Sequence, residues 1–296
     1  MEEIAGMVPY AATAELLSLL LFARANLAWR SAGMNRHPLA MLWIRAIVAL
    51  GLLLLAAVIM GYDLPGFQRS SLQLLPAVML GMYGGLGLLL FAISLNRLPA
   101  QLVFFGGSIH LVFGTALGHL ALGEEISPLA WGIIALLFAC QIFIVWQDRK
   151  TWSSLKPWHR IFPFLVGLIW GTYYPLYGYL QRDYGVWDTL VLTEYGVFIM
   201  LSVAFLSQIR SQLIGLRSLE NVRLMSFQAL FSILGQGFTA LCISWGGVVL
   251  HSILTNFSSL INVTAFRYRF KEKFDFRYLY FFLVYGLLMG LLTLLS

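Results

Sequence analysis

Four ionisable side chains, Glu15, Arg45, His110 and Glu194, stand well inside long apolar stretches of the chain. A charge at the centre of a membrane span costs about 2.5–3.5 kcal/mol on insertion scales, so each needs a partner or a polar cavity. The types suggest the chemistry. A guanidinium at Arg45 can hold a carboxylate or phosphate, and a carboxylate at Glu194 can hold an amine or exchange a proton. The two can also pair with each other, as a gate that holds one state closed. Glu15 shares a helical face with Ser18, Phe22 and Asn26 at offsets of 3, 7 and 11, which marks a lining face unless the carboxylate is solvated near the surface. His110 sits between Gly106 and Gly114 in a ladder that ends at Gly118. There it either relays protons or bonds to a neighbouring helix through a small-residue face. Arg24 is nearer a helix end and can snorkel.

Aromatic and polar residues add a second layer. Trp170-Gly171-Thr172-Tyr173-Tyr174-Pro175-Leu176-Tyr177 stacks Tyr173 and Tyr177 one turn apart. Aromatic faces near a carboxylate hold ammonium groups or stack aromatic solutes, although an interfacial aromatic belt is the plainer reading, above all for Tyr179 and Tyr184. Pro175 is expected to break its helix and free carbonyls. Two polar stripes have helical spacing: Gln228, Ser232, Gln236 and Thr239, then His251, Thr255, Ser258, Ser259 and Asn262. Gln236 and Thr255 read as pathway residues, although such groups also serve as bonds between helices. No HExxH, phosphate-binding loop, GxSxG or metal-spaced carboxylate cluster is present, so neither an enzyme nor a cofactor or metal protein is expected. Cys140 and Cys242 both lie in apolar runs and are expected to be buried thiols.

These residues are carried by membrane helices. Of the 296 residues, 60% are hydrophobic and 11% charged, against about 25% charged in soluble domains. Apolar runs and turn signals place spans at 8–29, 38–61, 74–95, 98–122, 127–147, 158–181, 187–209, 223–246, 248–268 and 276–296. The separators include Asn35-Arg36-His37-Pro38, Asn96-Arg97-Leu98-Pro99, the polar run from Gln147 to Arg160, and Gly246-Gly247. Ser127 precedes Pro128 as a cap, and Asp275 can cap the last helix. The first run lacks a preceding basic segment and reads as a retained helix.

The chain also repeats. A shift of 150 superposes Gly85-Leu86-Gly87 on Gly235-Gln236-Gly237, one of 149 matches Pro38 to Arg45 with Trp187 to Glu194, and one of 148 brings Gly123 to Pro128 onto Lys271 to Phe276. Five helices per half follow, with residues 1–150 forming one repeat and 151–296 the other. An odd number makes the repeats inverted, an arrangement with a substrate site near the midplane and alternating access. The expected fold is therefore an all-α membrane protein of ten transmembrane helices in two inverted five-helix repeats.

The segments Leu95-Asn96-Arg97-Leu98-Pro99-Ala100 and Leu122-Gly123-Glu124-Glu125-Ile126-Ser127-Pro128, with Pro38 to Leu54 around Arg45, resemble the drug/metabolite transporter superfamily, EamA type. The second half retains Trp170-Gly171 and Glu272 of that pattern and lacks the proline of its fourth helix. The resemblance implies ten helices, inverted repeats and transport of a metabolite, amine, amino acid or nucleotide-linked compound. Glu124 and Glu272 match the motif, and each is expected to act locally at its own helix start.

Fifteen Lys and Arg fall in or beside the connections after odd-numbered helices, against two after even-numbered ones. The positive-inside rule then puts both termini outside, whereas the resemblance implies cytoplasmic termini; the charge count is followed here. The net charge of +6 thus reports orientation and not a nucleic-acid partner. The expected protein is a multi-pass protein of the cell (inner) membrane, a monomer or weak homodimer in contact with lipid. It is expected to move a small polar metabolite, an amino acid or related amine, with a proton as the candidate coupling partner. A choline-like quaternary amine permease is one alternative; a lipid flippase or non-transporting membrane subunit is the other.

Overall fold

The computed structural model describes residues 2–62, 70–147, 156–271, 284 and 286–288. Every regular element among them is helical. In chain order they are α1 (Glu2–Asn26), a 3-10 turn (Leu27–Arg30), α2 (Ala32–Arg36), α3 (Pro38–Ile59), α4 (Ser71–Arg97), α5 (Ala100–Gly107), α6 (His110–Leu122), α7 (Pro128–Gln147), α8 (Pro157–Tyr184), α9 (Val186–Ser207), α10 (Ile209–Leu216), α11 (Leu219–Thr255) and α12 (Phe257–Phe270).

Six stretches are long and apolar enough to cross a bilayer: Met7–Arg30, Pro38–Ile59, Leu72–Arg97, Ala100–Leu122, Val186–Ser207 and Leu219–Thr255. The 22 residues of α3 span about 33 Å, the thickness of a hydrocarbon core. Large apolar side chains lie on the outside, with Val58 70%, Ile59 75% and Leu120 78% exposed. Water does not tolerate such a surface and lipid does. The chain is a membrane-embedded helical protein.

Local sequence sets the helix ends. Ser31 and Ser218 accept from the backbone of Met34 and Asn221, Ser70 and Gln73 form a reciprocal capping box, and the Ser127 hydroxyl accepts from Ala130 N at 3.2 Å ahead of Pro128. The expected boundary at Gly246-Gly247 falls at Gly247, whose φ of 83° and ψ of 172° divide α11 into two helical segments. Glycine is required there twice over, since a Cβ would also meet the Glu124 carboxylate at 2.9 Å. Contrary to the expectation of a local role, the Glu124 carboxylate serves a distant helix start. It accepts from Val248 N at 2.9 Å and Val249 N at 2.7 Å, capping the segment after the break from the opposite half of the sequence.

Two further expectations need correction. The helix expected over 98–122 is two, α5 and α6, separated at Ser108 and Ile109, and the one expected over 248–268 is interrupted at Asn256. The freed backbone is served by side chains: Ser108 Oγ donates to Phe104 O at 2.7 Å, and Asn256 Nδ2 donates to Ser252 O at 2.7 Å. The interruptions adjoin, with Ser108 Oγ and Ser259 Oγ 2.7 Å apart. Pro175, by contrast, breaks nothing: α8 continues through both Pro163 and Pro175. Its neighbour Gly171 lies so close to α6 that a Cβ would stand 2.9 Å from His110 Cα, so packing holds the helix in line across the missing N–H. The expected last helix, Asp275 and Glu272 lie outside the described residues, apart from helical positions at 284 and 286–288.

The sequence halves interleave: α1 packs along α11, α4 along α8 and α9, and α3 between α9 and α11. Backbone approach is closest where α4 meets α9, because a methyl group at Gly81 would overlap the Thr193 carbonyl and one at Gly196 the Val78 carbonyl. Gly196→Ala is therefore expected to destabilise the fold by about 1–3 kcal/mol through overpacking. Gly237→Ala, with nothing within 4 Å of the added atom, should leave thermal unfolding in detergent unchanged. Equal melting temperatures for the two variants would contradict this packing.

Candidate functional site

Among the described residues the helices line a cavity of about 1290 Å³, open solvent at its mouth included, and Glu15, Arg45, His110, Tyr173, Tyr177, Glu194, Gln236 and Thr255, all singled out from the sequence, are in its wall. The wall between the charged groups is aromatic and apolar, with Phe22, Trp29, Phe91, Phe104, Trp170 and Tyr174 among its members.

One charged station joins α3, α9 and α11. Arg45 donates from Nη1 to Glu194 Oε2 at 2.6 Å and from Nη2 to Glu194 Oε1 at 3.1 Å and to Ser232 Oγ at 3.0 Å. The side chains are 1% and 2% exposed. This is the paired, bidentate geometry in which a guanidinium is tolerated away from water. Sequence reasoning left open whether these residues pair, and they do.

The second station joins α1 to the segment after Gly247. Glu15 Oε2 lies 3.0 Å from His251 Nδ1, and Glu15 Oε1 accepts from Thr255 Oγ1 at 2.9 Å. Glu15 and His251 are each 1% exposed, so the carboxylate is not a solvated surface group. The Tyr174 ring stands edge-on over His251 at 4.2 Å. Cys242 Sγ also faces Glu15, and the ligand atoms of Glu15, Cys242 and His251 lie within 4.8 Å of one another. A transition metal would accept that spacing, yet His251 and Thr255 already occupy the carboxylate oxygens, and we assign the cluster to hydrogen bonding.

His251 is the residue that sequence reasoning undervalued, placing it only in a polar stripe. The available signal was an ionisable side chain in an apolar run, four residues before Thr255 on the same face. His110 bonds through Nδ1 to Gly107 O, 3.1 Å away in the preceding helix. Its glycine ladder does let neighbours in: a Cβ at Gly106 would meet Pro163 at 2.8 Å, and one at Gly118 would meet Val249 at 3.0 Å. The rings of Tyr173 and Tyr177 are tilted at 32° with centroids 5.8 Å apart and those of Tyr173 and Tyr174 meet edge to face at 5.3 Å, whereas Tyr179 points outward, 56% exposed. Ser18 with Thr239 at 2.8 Å and Asn26 with Asn262 at 2.9 Å tie α1 to α11 and α12 along the cavity.

In the cavity lining Phe91 and Phe104 meet edge to face at 5.8 Å, and Phe104 packs on Phe266 at 5.7 Å. Arg30 lies over Phe266 at 5.1 Å and Phe270 at 5.7 Å while donating to the carbonyls of Leu95 and Leu98 at the end of α4.

The chain matches no family model and no curated protein sequence. It is similar to a solved structure described only as "Crystal structure of protein", with a TM-score of 0.68 over 96% of this chain and 95% of that one at 11% identity. At that identity the likeness establishes a shared fold alone.

Removing one partner of a buried ion pair costs about 3–5 kcal/mol, while an apolar replacement of both is often neutral. Arg45→Leu and Glu194→Leu are each expected to lower the thermal midpoint in detergent markedly, and the double variant to recover most of the loss. Double-mutant-cycle unfolding measures this. Additive losses would show that the pair is not coupled.

Proposed function

We propose that the protein is a secondary transporter of the drug/metabolite transporter superfamily, EamA type, moving a small organic solute that carries an amino or ammonium group by alternating access. One observation carries the reading. Trp29 Nε1, Arg45 Nε, His110 Nε2, Tyr177 Oη and Gln228 Oε1 are buried with no hydrogen-bond partner among the described residues, and all five belong to side chains lining the cavity. Buried polar atoms are ordinarily satisfied, so a cavity that gathers such atoms around two charged stations is built to receive a polar guest.

Ten spans in two inverted repeats, at the cell inner membrane with the termini outside, belong to the same proposal. Supporting the repeat, Arg45 and Glu194 meet at a separation of 149 residues, and the interruptions at Ser108 and Asn256 lie 148 apart. Within transport, the cluster of Tyr173, Tyr174 and Tyr177 favours a quaternary ammonium solute of the choline kind as the second reading.

The test is thermal stabilisation of purified protein by a panel of amino acids and amines that includes tetramethylammonium. A ligand at about 100 times its Kd adds about 2.7 kcal/mol. Stabilisation by an amino acid or primary amine is the expected outcome, weakened about tenfold in affinity by Gln236→Leu, which removes one polar lining group. Preference for tetramethylammonium selects the quaternary reading. Stabilisation by lipid alone overturns both in favour of a flippase or membrane subunit.

A further inference from the structure

The two charged stations are not equivalent. Arg45 cannot release its proton at any physiological pH, and its fork engages both oxygens of Glu194. A proton on Glu194 would strand a buried guanidinium, so this pair holds a fixed charge arrangement. At the other station, the only basic group within hydrogen-bond reach of Glu15, among the described residues, is the His251 imidazole. An imidazole gains or loses its proton in the neutral range.

We propose that Glu15 and His251 form a proton-binding diad, holding one exchangeable proton between Glu15 Oε2 and His251 Nδ1. With that proton the diad is neutral overall; without it a lone carboxylate remains in a dry cavity. The proton stays on the diad or leaves it as a solvated proton, and no other bond changes.

The surroundings fit. Thr255 donates to the second carboxylate oxygen, and Cys242 on α11 and Tyr174 on α8 face the pair as neutral groups. His110 on α6 lies within electrostatic reach of both members, and its Nε2 has no hydrogen-bond partner among the described residues. Glu124, beyond Cys242, is engaged by the backbone of Val248 and Val249. Because Glu15 is on α1 and His251 on the segment after Gly247, proton loss alters the bond between two elements from opposite ends of the chain. A role in coupling solute to proton movement rests on the transporter reading; proton binding by the diad does not.

The experiment is a pH titration of full-length protein in detergent, with its five histidines labelled with nitrogen-15 and the His251 resonance assigned by its loss in His251→Asn. The His251 resonance is expected to change with pH, and the change to be displaced by Glu15→Gln and less by Thr255→Val. Unfolding midpoints confirm that these near-isosteric variants fold. The double variant Arg45→Leu/Glu194→Leu should leave the titration in place. A His251 resonance that does not respond to pH, or whose response is indifferent to Glu15→Gln, overturns the diad. A change abolished by a chelator would make the ligand a metal ion and overturn it equally. A titrating diad in a protein that moves no solute would overturn the transporter reading and leave the proton site standing.

Discussion

A guanidinium in the interior of an apolar bundle is stable only where a carboxylate can meet it in a plane, and Arg45 and Glu194 satisfy that demand from opposite halves of the chain. Much of the architecture follows from bringing them together. α3 must lie against both α9 and α11, and Ser232 takes the remaining reach of Arg45 Nη2. α4 must in turn press on α9 at Gly81 and Gly196, where no side chain fits between the backbones. The pair is thus a fixed cross-brace, and the cavity is the space that the braced helices leave beside it.

The interruptions in the helices obey the same economy of polar groups. Non-helical backbone at membrane depth survives only where protein or a polar cavity satisfies it. Ser108, Asn256 and Ser259 supply that satisfaction from side chains, and Glu124 supplies it at Gly247. The interruptions at Ser108-Ile109 and Asn256 border the cavity, with Gly107, His110, Thr255 and Ser258 in its lining, and His251 lines it four residues after Gly247. The interrupted segments thus supply one part of the lining, and the regular α3 and α9 supply Arg45 and Glu194.

Much of this was legible in the sequence. Apolar run length marked the six stretches long enough to cross a bilayer, Gly246-Gly247 marked the bend, and a correspondence at 149 residues matched Arg45 with Glu194. The eight residues chosen for charge, aromatic character or stripe position share one cavity because a polar side chain in a lipid-facing chain has few other places to go. What escaped had no local signature. Ser108-Ile109 and Asn256 carry no proline, so nothing marked the interruptions there, while Pro175 advertised one that packing against α6 suppresses. Glu124 looked like a cap for its own helix because its true partners are 124 and 125 residues away. His251 passed as one more hydrogen-bonding residue because Glu15, which gives it a purpose, is 236 residues distant.

Solute movement through the cavity is the central claim, and counterflow into proteoliposomes measures it directly. Vesicles loaded with unlabelled amino acids or amines, one per batch, are diluted into the same solute carrying label. Transient, saturable accumulation of label for at least one of them, absent from protein-free vesicles, is the result the account predicts. Vesicles that accumulate none of these solutes while the same protein scrambles labelled lipid between leaflets would contradict it.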